Sequence, residues 1–282
     1  MLTFTSLGGA GTVTGSKHLL ANGEHRILID CGLFQGFKNL RELNWEPLAV
    51  EPASIDAVVL THAHLDHSGY LPKLVRDGFR GPILSTAATR DVAELILRDS
   101  AHINEKDADY ARRKGFSRHK PPLPLYGVGD AEAAVEQFSP VAFNKPIALP
   151  GGGELTFRRA GHILGAATAD IHWAGRRIAF SGDLGRYGDP VMPDPEPIPE
   201  ADHIVVESTY GDRRHEGGDP TEVLADVIER TTARGGTVII PSFAVGRAQT
   251  IIYHLWKLKK VGRLASLPIY LDSPMAINAS DL

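Results

Sequence analysis

Alternating and periodic apolar positions along the chain predict many short strands separated by helices. The predicted strands cover residues 2–7, 17–21, 26–30, 55–60, 82–85, 146–149, 154–160, 168–173, 176–181, 204–207, 237–240 and 268–272. Helical spacing predicts helices over residues 70–77, 86–114, 130–138 and 220–233, and a last one that opens within 241–249 and runs to about 260. Asp130 is the expected cap of the third helix. This pattern indicates an α/β fold, and the order after residue 204 indicates a small parallel α/β unit.

A cluster of metal-binding residue types follows directly on the apolar run at residues 55–60: His62, His64, Asp66 and His67. Imidazole and carboxylate groups are ligands of zinc and related metals. Two positions apart on an extended chain, His62 and His64 point the same way, whereas Asp66 and His67 follow a turn and can face a second metal. A histidine-rich surface loop is the alternative, but strand, spacing and ligand chemistry all favour a metal site.

Further candidate ligands stand at the ends of other predicted strands. His162 and Asp183 are each flanked by glycines, which let the backbone bend so that one side chain reaches a metal. A glycine-flanked polar residue is by itself common in loops. In a chain that also contains the histidine cluster, His162 and Asp183 become strong candidates for metal ligands. Asp30 either ends a strand in a common turn or orients a metal-binding histidine. The adjacent Cys31 is a core residue or, alternatively, a ligand.

Two other stretches have open interpretations. The glycine-rich residues 8–15 follow a strand, but their spacing and the β-like segment after them do not fit dinucleotide binding. We interpret them as a turn between strands that leaves room near an active site. Glu207 ends an apolar strand and needs a partner, which a helix end or an arginine such as Arg213 would supply.

Composition narrows the class of protein without identifying a function. The chain has 282 residues, 43% of them hydrophobic, and a net charge of −4, so its total charge does not favour nucleic-acid binding. Residues 106–120 nevertheless hold six Lys or Arg against two Asp, which is either a solvated helix end or a phosphate-contacting rim. One cysteine, no signal peptide and no apolar run of membrane length lead us to expect a cytoplasmic protein without a membrane partner.

Taken together, these motifs resemble the metallo-β-lactamase superfamily, and specifically its β-CASP branch of RNA-processing nucleases. Asp30 resembles the first superfamily motif, the cluster at residues 62–67 the second, His162 the third and Asp183 the fourth. The stretch at residues 207–212 resembles the first β-CASP motif. Residues 241–249 and 270–275 are similar to later parts of the β-CASP insert.

The resemblance implies a fold, an activity and a set of site residues. The fold is a two-sheet, four-layer αββα sandwich, with residues 1–210 as the N-terminal part of the lactamase domain and 211–282 as the beginning of the insert. The activity is zinc-dependent hydrolysis of RNA phosphodiester bonds with two metal ions. The implied metal ligands are His62, His64 and His162 for one zinc, and Asp66 and His67 for the other, with Asp183 bridging. Asp30, Asp66 and Glu207 are the expected catalytic residues, Glu207 by positioning a general-acid histidine.

Members of this branch run well past the equivalent of Leu282 and carry two further histidine motifs there. We therefore expect this chain to be a fragment that binds zinc weakly and cleaves RNA poorly, the alternative being a natural short protein with a reduced site. The resemblance leaves open a homodimer for a complete protein. Two other functions remain as alternatives: a small-molecule metallohydrolase of the thioesterase or lactonase type, and an inactive RNA-binding scaffold.

Overall fold

The computed structural model describes residues 1–117, 120–214 and 217–282, so that part of the basic stretch at 106–120 lies outside the described residues. Within them the chain forms two compact units, one of residues 1–186 and 194–207, the other of residues 187–193 and 208–282. The assignment of residues 211–282 to a β-CASP insert stays a prediction. Every helix of the described segments is too short or too polar to cross a lipid bilayer.

Two β-sheets form the first unit. The six-stranded sheet has the spatial order β1 (Leu2–Gly8), β2 (Lys17–Asn22), β3 (His25–Ile29), β4 (Ala57–Val59), β5 (Ile83–Ser85) and β6 (Phe138–Pro140). The five-stranded sheet has the order β11 (His203–Val205), β10 (Arg176–Phe180), β9 (Ala167–Trp173), β8 (Gly153–Arg159) and β7 (Ile147–Leu149). Strands β3 to β6 run parallel, as do β10 and β11, and the remaining pairs are antiparallel.

The main core lies between the two sheets, because alternate residues of each strand point into the same space. From the first sheet come Ile27, Ile29 and Val59, and from the second Phe157 and Trp173, all almost fully buried. The prediction of an α/β fold built on two facing sheets is therefore confirmed. The two-residue turn at residues 174–175, which joins β9 and β10, confirms the predicted hairpin.

Helices cover the other face of the first sheet, so that its parallel strands are buried on both sides. The helices of this unit are α1 (Lys38–Glu42), α2 (Leu65–Ser68), α3 (Leu71–Arg76), α4 (Ala87–Lys114) and α5 (Val128–Glu136). Helix α4 has the predicted bounds because the Thr86 hydroxyl accepts the Thr89 N–H at its start, and Gly115 ends it with a left-handed φ of 69°.

The second unit contains three helices within its described residues: α6 (Pro220–Thr232), α7 (Arg247–Lys260) and α8 (Pro274–Asp281). Helices α6 and α7 bury a small apolar cluster that includes Ile228, Leu255 and Leu258. Arg263 ties the unit together, since its guanidinium donates to the carboxylates of both Glu222 and Glu229. Its fold is thus carried by helix packing.

The strands predicted over residues 237–240 and 268–272 are wrong. Among the described residues of the second unit no strand forms, and Ile239 and Tyr270 are 84% and 86% exposed. A strand needs a hydrogen-bonding neighbour, and β-type composition alone does not stabilise an isolated one. The predicted parallel α/β unit after residue 204 is therefore reduced to helices and extended segments.

The prediction for the helix near residue 130 is also wrong in detail. Gly127, not Asp130, is the N-cap of α5, and the Asp130 carboxylate reaches back to accept the Gly127 N–H at 2.9 Å. This is the back-bonding half of a capping box, in which the acid stands three residues inside the helix. The helix also ends at Glu136, two residues before Phe138 begins β6.

Gly129 offers a test of these helix assignments. A Cβ added there would meet no atom within 4 Å, and the residue lies inside α5 with an ordinary helical backbone. Because glycine loses more backbone entropy than alanine on folding, Gly129→Ala is expected to stabilise the protein by about 0.5–1 kcal/mol. Urea denaturation followed by circular dichroism measures this, and a loss of stability would contradict the assignment.

Candidate metal centre

The candidate ligands meet at one edge of the two sheets. Asp30 directly follows β3, and His62 comes three residues after β4, while His162 and Asp183 each come three residues after β8 and β10. The two sheets are joined at this edge, because the Ala167 N–H donates to the Thr61 carbonyl at 2.9 Å. Residues far apart in sequence are thereby held on strand ends that share one core.

Four side chains of this edge form a compact set of ligand atoms: His62, His64, His162 and Asp183. His64 Nδ1 lies 3.2 Å from Nε2 of His62 and 3.2 Å from Nε2 of His162. Asp183 Oδ2 lies 3.7 Å and 3.5 Å from the same two nitrogens. Tetrahedral zinc with bonds of about 2.0–2.1 Å separates its ligand atoms by about 3.3 Å, so these atoms fit a single zinc-sized cation.

A second group lies on the other side of Asp183. His67 Nε2 is 3.3 Å from Asp183 Oδ1 and 3.9 Å from Asp66 Oδ2. Asp183 therefore presents one oxygen to each group, which is the arrangement that a bridging carboxylate needs. The structure brings together all six residues that the sequence predicted as ligands.

Asp30 supports both groups from behind. Its carboxylate accepts the Thr61 N–H at 2.8 Å and the Thr61 hydroxyl at 3.0 Å, and it lies 2.7 Å from His67 Nδ1. Because the hydroxyl proton of Thr61 is used on Asp30, its oxygen is left to accept Nδ1–H of His62 at 3.1 Å. Asp30 thus orients His67 directly and His62 through Thr61.

This network determines which ring nitrogens carry protons. With Nδ1 of His62 and of His67 both donating outward, the Nε2 atoms of both rings point into the cluster, and Nε2 of His62 presents a lone pair there. The single Nδ1 of His64 also faces the nitrogens of His62 and His162 and cannot donate one proton to both. Converging lone pairs of this kind favour a shared cation.

Burial keeps three of the histidines uncharged. Desolvation lowers the pKa of His62 well below its usual value, lowers that of His64 to about 4, and lowers that of His162. Neutral imidazole is the form that binds a metal. His67 differs: burial opposes its charge, but the carboxylates of Asp30 and Asp183 outweigh burial and raise its pKa well above the usual value. A proton and a cation therefore compete for Nε2 of His67.

Close backbone contacts determine where the ligands stand. A Cβ on Gly32 would lie 1.6 Å from the Asp66 carbonyl oxygen, and one on Gly185 would lie 1.8 Å from the Gly161 carbonyl oxygen. These two glycines let the loops that carry the ligands pass directly against each other. The turn at residues 8–15 also borders the site, since the Ser16 N–H donates to the Asp66 carbonyl at 2.8 Å.

Glu207 lies beside the metal ligands. Its Oε1 accepts the Leu184 N–H at 3.1 Å, its own N–H donates to the Ser181 hydroxyl, and its charge acts on His162. Arg213, the suggested ion partner, instead pairs with Asp212 at 2.9 Å. Cys31 is fully buried, burial raises its pKa to about 12, and it is not among the described ligand atoms, which favours a core role.

Sequence reasoning missed the supporting hydroxyl groups. Thr61 is absent from the predicted site, yet it links Asp30 to His62. Thr86 begins a predicted helix, and its hydroxyl also donates to the Gly165 carbonyl in the loop after His162. The one available signal is position, because each threonine directly follows a predicted strand.

Asp30→Asn tests the supporting network. The amide has only one oxygen for the N–H and O–H donors of Thr61 and the N–H of His67, so its amino group faces a donor and misorients the rings. We expect zinc affinity to fall about 10- to 100-fold in competition with a chromophoric chelator. Asp91→Asn, at an exposed site on α4, is the control, and equal affinities for the two variants would contradict this role for Asp30.

Two facing sheets with a histidine–aspartate cluster at their common edge define the class of fold and site. The sequence profile described as "Metallo-beta-lactamase superfamily" matches residues 11–228. The chain belongs to the metallo-β-lactamase superfamily.

Individual relatives match nearly the whole chain. The chain is 42% identical over 270 residues to "Ribonuclease TTHA0252" of Thermus thermophilus, a match that covers 95% of this chain and 58% of that protein. It is 33% identical over 276 residues to "Transcription termination factor FttA" of Methanosarcina mazei, covering 95% and 41% respectively. The chain thus spans about half the length of the curated relatives it matches.

Among solved structures, the fold is similar to that of a protein of unknown function from Enterococcus faecalis V583. The TM-score is 0.51 at 15% identity, and the match covers 100% of this chain and 67% of the other. This likeness concerns the fold alone.

Proposed function

We propose that the protein is a zinc-dependent ribonuclease that hydrolyses RNA phosphodiester bonds, within the β-CASP branch of its superfamily. The observation that carries the proposal is Asp183, which presents one oxygen to the three-histidine group and the other to His67. A relative that is 42% identical bears the name ribonuclease, which supports RNA as the substrate.

In this proposal His62, His64 and His162 would hold one zinc ion, Asp66 and His67 would hold a second, and Asp183 would contribute to both groups. Bound cations of this kind activate a water molecule and stabilise charge on the phosphate. The protein's own contribution is orientation: Asp30 and Thr61 keep the Nε2 lone pairs directed inward. Glu207, anchored by Leu184 and Ser181, has the position to orient a proton donor beside His162.

Zinc as the metal rests on the donor set of three imidazoles and carboxylates at tetrahedral spacing. A cytoplasmic location rests on the single cysteine of the chain. A homodimer is proposed only from the family resemblance.

The test is cleavage of labelled RNA beside hydrolysis of a thioester, each with and without a chelator. We expect chelator-sensitive cleavage of RNA and no hydrolysis of the thioester. Hydrolysis of the thioester alone would overturn the nuclease proposal in favour of a small-molecule metallohydrolase.

A further inference from the structure

The last turns of α4 carry a basic and aromatic surface that the metal centre does not use. We call it the α4 surface and define it by Lys106, Tyr110, Arg113, Lys114 and Phe116, all of them exposed. Tyr110 follows Lys106 by four residues, and Arg113 and Lys114 follow Tyr110 by three and four, so the four side chains share one face of the helix. In this last part of the helix that face is exposed.

The cations of this surface are available for a ligand. Lys106 and Arg113 form no ion pair with any residue in the described segments, whereas Arg112 beside them is neutralised by Asp109 at 2.8 Å. Attraction to the negative end of a helix explains basic residues in its last turn. It does not explain Lys106, which lies two turns earlier, or the neighbouring aromatic rings.

The aromatic residues form a fixed platform. The rings of Tyr110 and Phe116 are 49% and 58% exposed and meet edge to face, with centroids 5.8 Å apart. The end of the helix holds Phe116 in place, because its N–H donates to the Ala111 carbonyl at 3.2 Å while Gly115 takes a left-handed turn. Lys114 Nζ lies 6.0 Å from the Tyr110 ring centre, so positive charge stands beside the rings.

We propose that the α4 surface binds a single-stranded nucleic acid, with Lys106 and Arg113 contacting phosphates and with bases stacking on Tyr110 and Phe116. Cations that track a backbone beside exposed aromatic rings are the combination by which proteins hold single strands. The positive charge of this surface is local, because the whole chain carries a net charge of −4. The choice of RNA as the ligand rests on the proposed function.

The α4 surface serves as an anchor remote from the cleavage site. Helix α4 begins beside the metal centre, where the Thr86 hydroxyl donates to the Gly165 carbonyl. At 1.5 Å per residue, Lys106 lies about 30 Å further along the helix axis. An RNA bound there is therefore held at a distance from the metal ligands.

The experiment measures binding without cleavage. Fluorescence anisotropy follows a labelled oligouridine of about 20 nucleotides, longer than one single-strand site, in the presence of a chelator and at several salt concentrations. Lys106→Ala/Arg113→Ala is compared with Lys145→Ala/Arg234→Ala, which removes the same charge from exposed positions elsewhere. Tyr110→Ala/Phe116→Ala tests stacking separately.

We expect the α4 charge variant to bind about tenfold or more weakly and to make the negative slope of log K against log salt shallower by about 1.4, as for two lost phosphate contacts. The aromatic variant should lose about 30-fold or more in affinity, with the salt slope unchanged. Equal losses in the α4 and control charge variants, unchanged affinity in the α4 charge variant, or equally good competition by polyglutamate would each overturn the proposal. None of these outcomes bears on metal-dependent cleavage, which tests the proposed function separately.

Discussion

Asp183→Asn is expected to weaken metal binding strongly at both groups of the candidate metal centre and, under the proposed function, to remove RNA cleavage with it. The carboxylate approaches His62, His162 and His67 together, at 3.7, 3.5 and 3.3 Å. Asparagine keeps its shape but removes the negative charge and can turn its amino group toward the imidazole lone pairs. Since orienting groups behind a ligand are already worth 10- to 100-fold, loss of the shared ligand should weaken zinc binding by at least about 100-fold.

The measurement is zinc content after dialysis, together with the rise in melting temperature on adding zinc. A ligand that binds only the folded state stabilises by about 2.7 kcal/mol at 100 times its dissociation constant, so this rise should vanish in Asp183→Asn. Asp226→Asn, an exposed carboxylate on α6, is the control and should keep the wild-type zinc content. An Asp183→Asn variant that bound as much zinc as the unchanged protein would refute the bridging role.

The residues that meet in the candidate metal centre could be predicted from the sequence because their signals are local. His62, His64, Asp66 and His67 fall within six residues, directly after a buried strand. His162 and Asp183 were found because each follows a strand of clear apolar pattern and lies between glycines. The bounds of helix α4 were equally predictable, because apolar residues at helical spacing recur between Thr86 and Gly115.

The support behind the ligands was only partly predictable, because it joins residues distant in sequence. Asp30 was suggested as an orienting carboxylate, but its partners stand 31 and 37 residues further along the chain. No local sequence pattern specifies that the Thr61 hydroxyl donates its proton to Asp30. Its oxygen is thereby left to accept from His62, which orients that ring. The choice of ring tautomer follows from the assembled edge of the sheets.

The errors at residues 237–240 and 268–272 have a different origin. Their β-branched and aromatic residues favour the pleated surface of a sheet. This preference stabilises a strand only when a neighbouring strand supplies hydrogen bonds and packing. Neither segment is assigned to a strand, and Ile239 and Tyr270 are exposed. Composition thus does not predict the pairing that makes a strand.

Trp173→Ala is expected to lower the free energy of unfolding of the first unit strongly. The side chain is 1% exposed between the two sheets, its ring packs against the backbone of Gly153, and its Nε1–H donates to the Gly151 carbonyl at 2.9 Å. Removal of a buried tryptophan costs the transfer free energy of its surface and leaves a cavity, together about 3–5 kcal/mol. Because this core holds together the sheets whose ends carry the ligands, zinc binding should weaken as well.

Urea denaturation followed by far-ultraviolet circular dichroism measures this loss without relying on tryptophan fluorescence. Trp256→Ala is the matched control, because the same truncation at a residue 52% exposed on α7 should cost less than about 1 kcal/mol. Trp173→Phe should fall between the two, since it keeps a ring in the core but loses the hydrogen bond to Gly151. Equal costs for Trp173→Ala and Trp256→Ala would mean that the contact between the sheets does not carry the stability of the first unit.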